Sequence, residues 1–144
     1  TTEIYTLSLH DALPIFINKE MSELGQFKEE LKKRTHLFAH RCVKLCIHLP
    51  KDQLGRHISG QLIRSATSVA ANYRASCNAL SVPVIISKMS IAIEEADESQ
   101  FWIDFALEEK IVEDGKEAGL IIEEAKEIVL ILTKARQTLQ KKMT

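Results

Sequence analysis

The chain has 144 residues, 45% of them hydrophobic, 27% charged and 6% aromatic, with 19 Lys and Arg against 20 Asp and Glu. That length suits one domain and is short for two, and five Gly with three Pro exclude a disordered or collagen-like chain. A net charge of −1 excludes a protein that is basic overall, and no apolar run approaches the ~20 residues of a membrane span.

Residues 1–20 read differently from the rest. The stretch from Thr2 to Ile15 has no helical apolar stripe and closely resembles the conceptual translation of a sequencing adapter. It lacks the basic start and uninterrupted apolar run of a secretory signal. Residues 1–20 are therefore expected to be a non-native leader outside the fold, with residues 21–144 forming one domain and Met21 the candidate native start.

A first helix is expected from Ser22 to Leu49, stopped by Pro50. Phe27, Leu31, Phe38, Cys42, Leu45, Cys46 and Leu49 share one stripe at 100° per residue. Lys28, Lys32, Lys33, Arg41 and Lys44 surround it. A second helix is expected from Ile58 to Ala79, with Ser59 or Asp52 as N-cap. Its stripe is Ile58, Leu62, Ala66, Val69, Tyr73, Cys77 and Leu80. The opposite face, with Ser65, Ser68 and Ala71, is small enough to admit another helix closely. Ser81 and Pro83 open a third helix, expected to reach Glu113. Ile85, Met89, Ala92, Ala96, Ile103 and Leu107 form its main stripe, and Ile91, Trp102 and Phe105 make it apolar on a second side. Asp114-Gly115 breaks the chain before a fourth helix from Lys116 to Lys141, carrying Ile121, Ala125, Ile128, Leu132, Ala135 and Leu139 in register. Short links between four long helices predict an all-α, antiparallel, up-down-up-down four-helix bundle, with helices roughly 35–45 Å long.

Chemistry is sparse. A di-iron bundle needs Glu-x-x-His pairs on two helices, and no His follows Glu94, Glu95, Asp97 or Glu98 at that spacing. His36, His40, Cys42, Cys46 and His48 are dense enough to suggest zinc, but both cysteines belong to the apolar stripe while the histidines point well away from it. No catalytic residue, metal or cofactor is therefore expected. Three Cys, an odd number without Cys-x-x-Cys spacing, suit a reducing cytoplasm better than a disulfide framework. Arg34 and His40 fit a loose pattern of helical ribonucleases, which leaves a small ribonuclease as the alternative function. On a continuous helix these two diverge by about 120°.

Charge is segregated. Residues 21–60 hold eight Lys and Arg against four Asp and Glu, whereas residues 81–114 hold two against nine. Lys28, Lys32, Lys33, Arg41 and Lys44 on helix one, with Lys134, Arg136, Lys141 and Lys142 on helix four, are candidate nucleic-acid contacts.

The run Ile63-Arg64-Ser65-Ala66-Thr67-Ser68-Val69-Ala70-Ala71-Asn72-Tyr73-Arg74-Ala75, together with the run from Lys88 to Trp102 that contains Ile91-Ala92-Ile93-Glu94-Glu95-Ala96-Asp97-Glu98, resembles the four-helix bundle protein family, also called the 23S rRNA intervening-sequence or S23 family. The resemblance spans Phe27 to Leu139. It implies a left-handed antiparallel bundle that assembles into a homo-oligomeric ring, with pentamers known among members. It also implies a kinship with accessory proteins of diversity-generating retroelements, which present a basic surface to nucleic acid. The family has no established catalytic residues. Arg64, Ser68, Asn72, Glu94, Glu95 and Glu98 match its motif positions, where a structural role is expected. Two departures stand out: Arg74-Ala75-Ser76 replaces an acidic residue and Gly, and Pro83-Val84 replaces a longer polar lead into helix three. The expected function is thus that of a non-enzymatic, self-associating bundle acting as a nucleic-acid-associated accessory or assembly factor, with RNA, DNA or a protein as partner. Arg64 is expected to meet Glu94 or Glu98. A desolvated pair would make Arg64→Ala cost about 3–5 kcal/mol, an exposed one about 0–1 kcal/mol.

Overall fold

Burial of four apolar stripes brings together α1 (Thr2–Ile47), α2 (Gln53–Asn78), α3 (Val82–Glu108) and α4 (Gly115–Met143). The computed structural model describes the side chains of Lys19 and of residues 21–144. The expectation that residues 1–20 stand outside the fold lies, Lys19 excepted, outside these described residues. The chain divides into two compact units, Thr1–Leu31 and Lys32–Thr144.

In the second unit the end of α1 and the other three helices form the expected up-down-up-down bundle. Side-chain contacts give its direction. Arg34 and Arg41 of α1 meet Glu124 and Glu117 of α4, so seven residues forward on one helix are seven back on the other. Cys46 of α1 approaches the Ser59 carbonyl of α2 at 3.8 Å, Ser65 of α2 meets Ser99 of α3 at 2.9 Å, and Arg136 of α4 donates to Ser90 of α3 at 3.2 Å.

Most of the expected stripes form the core, although Cys77, Ile85, Met89, Leu107, Ala135 and Leu139 are only partly buried and two positions lie outside it. Phe38, Cys42, Ile58, Leu62, Ala66, Val69, Ala92, Ala96, Ile103, Ile121, Ala125, Ile128 and Leu132 are all buried. Phe27, in the first unit, is half-exposed and Leu80 fully exposed. Leu80 lies beyond the end of α2, in the link to α3, where the helical stripe no longer dictates its direction.

The helix ends explain the shifted boundaries. Asp52 caps α2 by accepting from Gly55 N at 2.8 Å, so the helix begins five residues earlier than the apolar stripe. Gly55 is required there: a Cβ would collide with the Pro50 carbonyl oxygen. Asp114 caps α4 in the same way, accepting from Glu117 N at 2.9 Å. Helix α3 stops at Glu108 because Lys110 adopts φ 58° and reverses the chain. Lys110 N donates to Leu107 O at 3.0 Å and Ile111 N to Ala106 O at 3.2 Å, the paired bonds of a Schellman motif. Ile111 and Val112 then fold against Leu49, Ile58 and Ala106, beside Leu54, Trp102 and Phe105. Those two apolar residues gain more by covering this end than by extending α3.

Thermal melts of three single variants test these assignments. Gly55→Ala should destabilise by about 1–3 kcal/mol through forced displacement of the Pro50 backbone. Gly60→Ala, where an added methyl meets open space, should stabilise by about 0.5–1 kcal/mol. Lys110→Gly should also stabilise, by about 1 kcal/mol, because it removes the left-handed strain of a side-chain-bearing residue.

Candidate functional site

The two cysteines of α1 do no surface chemistry. Cys42 and Cys46 are buried, and burial is the main force pushing both thiols up, Cys46 to about 11 and Cys42 beyond. They fill the core as small hydrophobes. Since a thiol in the unfolded chain ionises near 9.0, deprotonation favours unfolding, and stability should fall as pH rises from 9 towards 11. A denaturant series over that range should show the midpoint falling, and Cys46→Ala should flatten the slope.

Arg34 and His40 are not brought together. Arg34 reaches α4, where it pairs with Glu124 and with Glu127 at 3.1 Å. The Glu124 hydrogen bond is the largest influence holding its guanidinium above the ordinary value. His40 instead lines a groove against α2. The two side chains occupy opposite flanks of α1, as their angular separation requires.

Arg41 is likewise taken up by α4, donating Nε to Glu117 at 2.8 Å, which raises its pKa. This ion pair interrupts the expected basic stripe. Of the remaining candidates, Lys28, Lys33, Lys44, Lys134, Lys141 and Lys142 are exposed, Lys28 in the first unit. Lys32 is half-buried, as is Arg136, which donates to Ser90.

The charges nevertheless sort along the bundle. Residues 74–93 and 128–144 contain no Asp or Glu, and they carry Arg74, Lys88, Lys134, Arg136, Lys141 and Lys142. Antiparallel packing puts the end of α2, the start of α3 and the end of α4 at one end of the bundle, a proximity tied by the Arg136–Ser90 bond. Residues 94–127, towards the other end, hold thirteen Asp and Glu against three Lys.

The motif residues lie along the α2–α3 seam. Arg64 Nη1 contacts both Glu95 oxygens, at 3.2 and 3.0 Å, and Nη2 pairs with Glu98. Glu98 is thus a partner as expected, whereas Glu95 and not Glu94 is the other. Glu94 sits one residue, or 100°, further round α3 and is exposed. Asn72 Nδ2 donates to Ser68 O and Oγ, both at 2.9 Å, within α2. The Arg64 side chain is 48% exposed. Arg64→Ala should therefore cost about 0–1 kcal/mol, as exposed pairs do. Double-mutant cycles should show coupling with Glu95 and Glu98 and none with Glu94.

A shallow groove of about 340 Å³ runs between α1 and α2, lined by His36, Ala39, His40, Val43, Ala71 and Arg74 among others. Leu37, Ile47, Ile63, Phe101, Leu120 and Leu130 add scattered exposed apolar surface. Among the described residues no three His, Cys, Asp or Glu side chains converge as a metal cluster, and no helix is long and apolar enough to cross a membrane.

Fold and surface define an antiparallel four-helix bundle protein whose recognisable motif is a helix-to-helix seam. The chain belongs to the 23S rRNA-intervening sequence protein family, whose model matches residues 28–134. It is similar to the crystal structure of a protein with unknown function from the S23 ribosomal protein family of Bacteroides thetaiotaomicron, at 28% identity and a TM-score of 0.70. That likeness covers 76% of this chain and 97% of the other. No curated protein matches the chain.

Proposed function

We propose that the protein is a self-associating, non-catalytic bundle that binds nucleic acid through its basic end. The observation that carries this reading is the pair of acid-free segments 74–93 and 128–144, where Arg74, Lys88, Lys134, Arg136, Lys141 and Lys142 come from three different helices towards one end of the bundle. The six cations stand apart from the acidic stretch 94–127, which favours the approach of phosphate to them. Lys33 and Lys44 share one side of α1, but Lys44 lies towards the acidic end, beside Glu113, Asp114 and Glu117, and adds nothing to the basic end. Binding of this kind tolerates sequence and weakens with salt, because released counterions drive it.

Self-association would bury exposed apolar residues such as Leu37, Leu120 and Leu130. Assembly raises affinity by avidity, so subunits with few cations each can hold one nucleic acid strand. The separation of Arg34 from His40 favours this reading over a ribonuclease.

Anisotropy titration of a labelled single-stranded RNA at increasing salt is the direct test. Binding is expected with a log–log salt slope of about −0.7 for each phosphate neutralised. Replacing Lys134, Lys141 and Lys142 by Glu should abolish it while the circular dichroism spectrum stays helical. Light scattering on the same samples should give a multiple of the 16.3 kDa chain mass. No retention of RNA or DNA at low salt overturns the nucleic-acid reading, and a monomer at micromolar concentration overturns self-association.

A further inference from the structure

We propose that His36 and His40 form a surface site for a late first-row divalent cation, with Cu²⁺ held most tightly and Ni²⁺ and Zn²⁺ less so. The two side chains lie four residues apart on α1, and their Nε2 atoms are 3.2 Å apart. The rings meet edge to face, with centroids at 4.7 Å and planes at 67°. Imidazole nitrogens bind such ions at roughly 2.0–2.1 Å. Two nitrogens 3.2 Å apart, each at about that distance from one ion, subtend an angle of roughly 100° there. This lies between the right angle of square or octahedral sites and the tetrahedral angle. The two side chains therefore already stand at the spacing that a chelate requires.

In the metal-free protein one imidazole Nε2–H donates to the lone pair of the other. Binding replaces that shared proton by the cation; the ring that carried it takes up a proton at Nδ1 instead, so both imidazoles ligate in the neutral form, and a modest ring rotation aims both lone pairs at the ion. Imidazole nitrogen suits copper, nickel and zinc rather than magnesium or calcium, and the order of affinity follows the general trend of these divalent ions. Both histidines are exposed, so the ion enters without opening the fold.

The remaining coordination positions open onto the α1–α2 groove, where Ala70 and Ala71 are small and leave room. Arg74, on the same groove, has no ion-pair partner among the described residues. Its charge disfavours a second cation and favours an anionic exogenous ligand on the first, such as a carboxylate or phosphate. The buried thiols of Cys42 and Cys46 are not ligands of this site.

The test is a titration of the untagged, full chain with CuCl₂ in a non-coordinating buffer, followed by isothermal calorimetry and by electron paramagnetic resonance. One ion per chain is expected, with nitrogen hyperfine splitting from two equivalent donors. His36→Gln and His40→Gln should each weaken binding at least as much as loss of an outer-shell partner does, roughly 10–100-fold. His48→Gln, which alters an exposed histidine just beyond the end of α1, should leave it unchanged. Circular dichroism of each variant confirms the helix. Equal binding by the variant lacking both histidines, or a spectrum with a single nitrogen donor, overturns the proposal.

Discussion

The bundle depends on how closely α2 and α3 approach. Ser65 and Ser99 are fully buried, and their hydroxyls satisfy one another across the seam. Ser99 Oγ donates to Ser65 Oγ, and Ser65 in turn donates to the Leu62 carbonyl at 3.3 Å, so neither group is unpaired. Ala66, Ala92 and Ala96 are buried in the same two helices without widening the gap. A larger side chain at either serine would force the helices apart or strand the remaining hydroxyl, which costs about 1–3 kcal/mol for a buried polar group. Arg64, Glu95 and Glu98 flank this contact and fix its register from the outside. Because the register is fixed, the end of α2 and the start of α3 reach the same end of the bundle, and α4 follows along α3.

Much of this architecture could be read from periodicity. The stripes through Ile58, Leu62, Ala66 and Val69, or Ile121, Ala125, Ile128 and Leu132, repeat at three or four residues and turned out buried. Periodicity fails where a position has no facing helix, as at Leu80. It also says little about ends. Lys110 carries no glycine-like cue for a left-handed conformation, so the reversal that shortens α3 follows from tertiary burial of Ile111 and Val112.

The ion pairs were only partly legible. Arg64 meets α3 as its spacing suggests, but helical spacing alone does not separate Glu94 from Glu95 as its partner. Arg34–Glu124 and Arg41–Glu117 join residues far apart in the chain. One signal for them exists: Arg34 and Arg41 are seven apart, as are Glu117 and Glu124, so two rungs of opposite charge can align on antiparallel neighbours. The basic end is less legible in the sequence, because the most conspicuous run of cations lies on α1. Three helices contribute to that end, and only their antiparallel arrangement assembles it. The histidine pair was visible as an i, i+4 spacing, but its separation of 3.2 Å depends on side-chain torsions that spacing alone does not determine.

The lengthwise sorting of charge makes each bundle an electric dipole. A dipole resists being stacked beside a parallel copy and accepts an antiparallel one, so electrostatics alone would choose a two-fold pair in which the end charges cancel. A ring of parallel subunits must overcome that repulsion with apolar contact, and in return it sums every positive pole on a single rim. The symmetry of an assembly thus decides whether its long-range field is quenched or amplified. A polyanion entering the gap of a parallel ring would relieve the repulsion, coupling nucleic-acid capture to the cohesion of the ring itself.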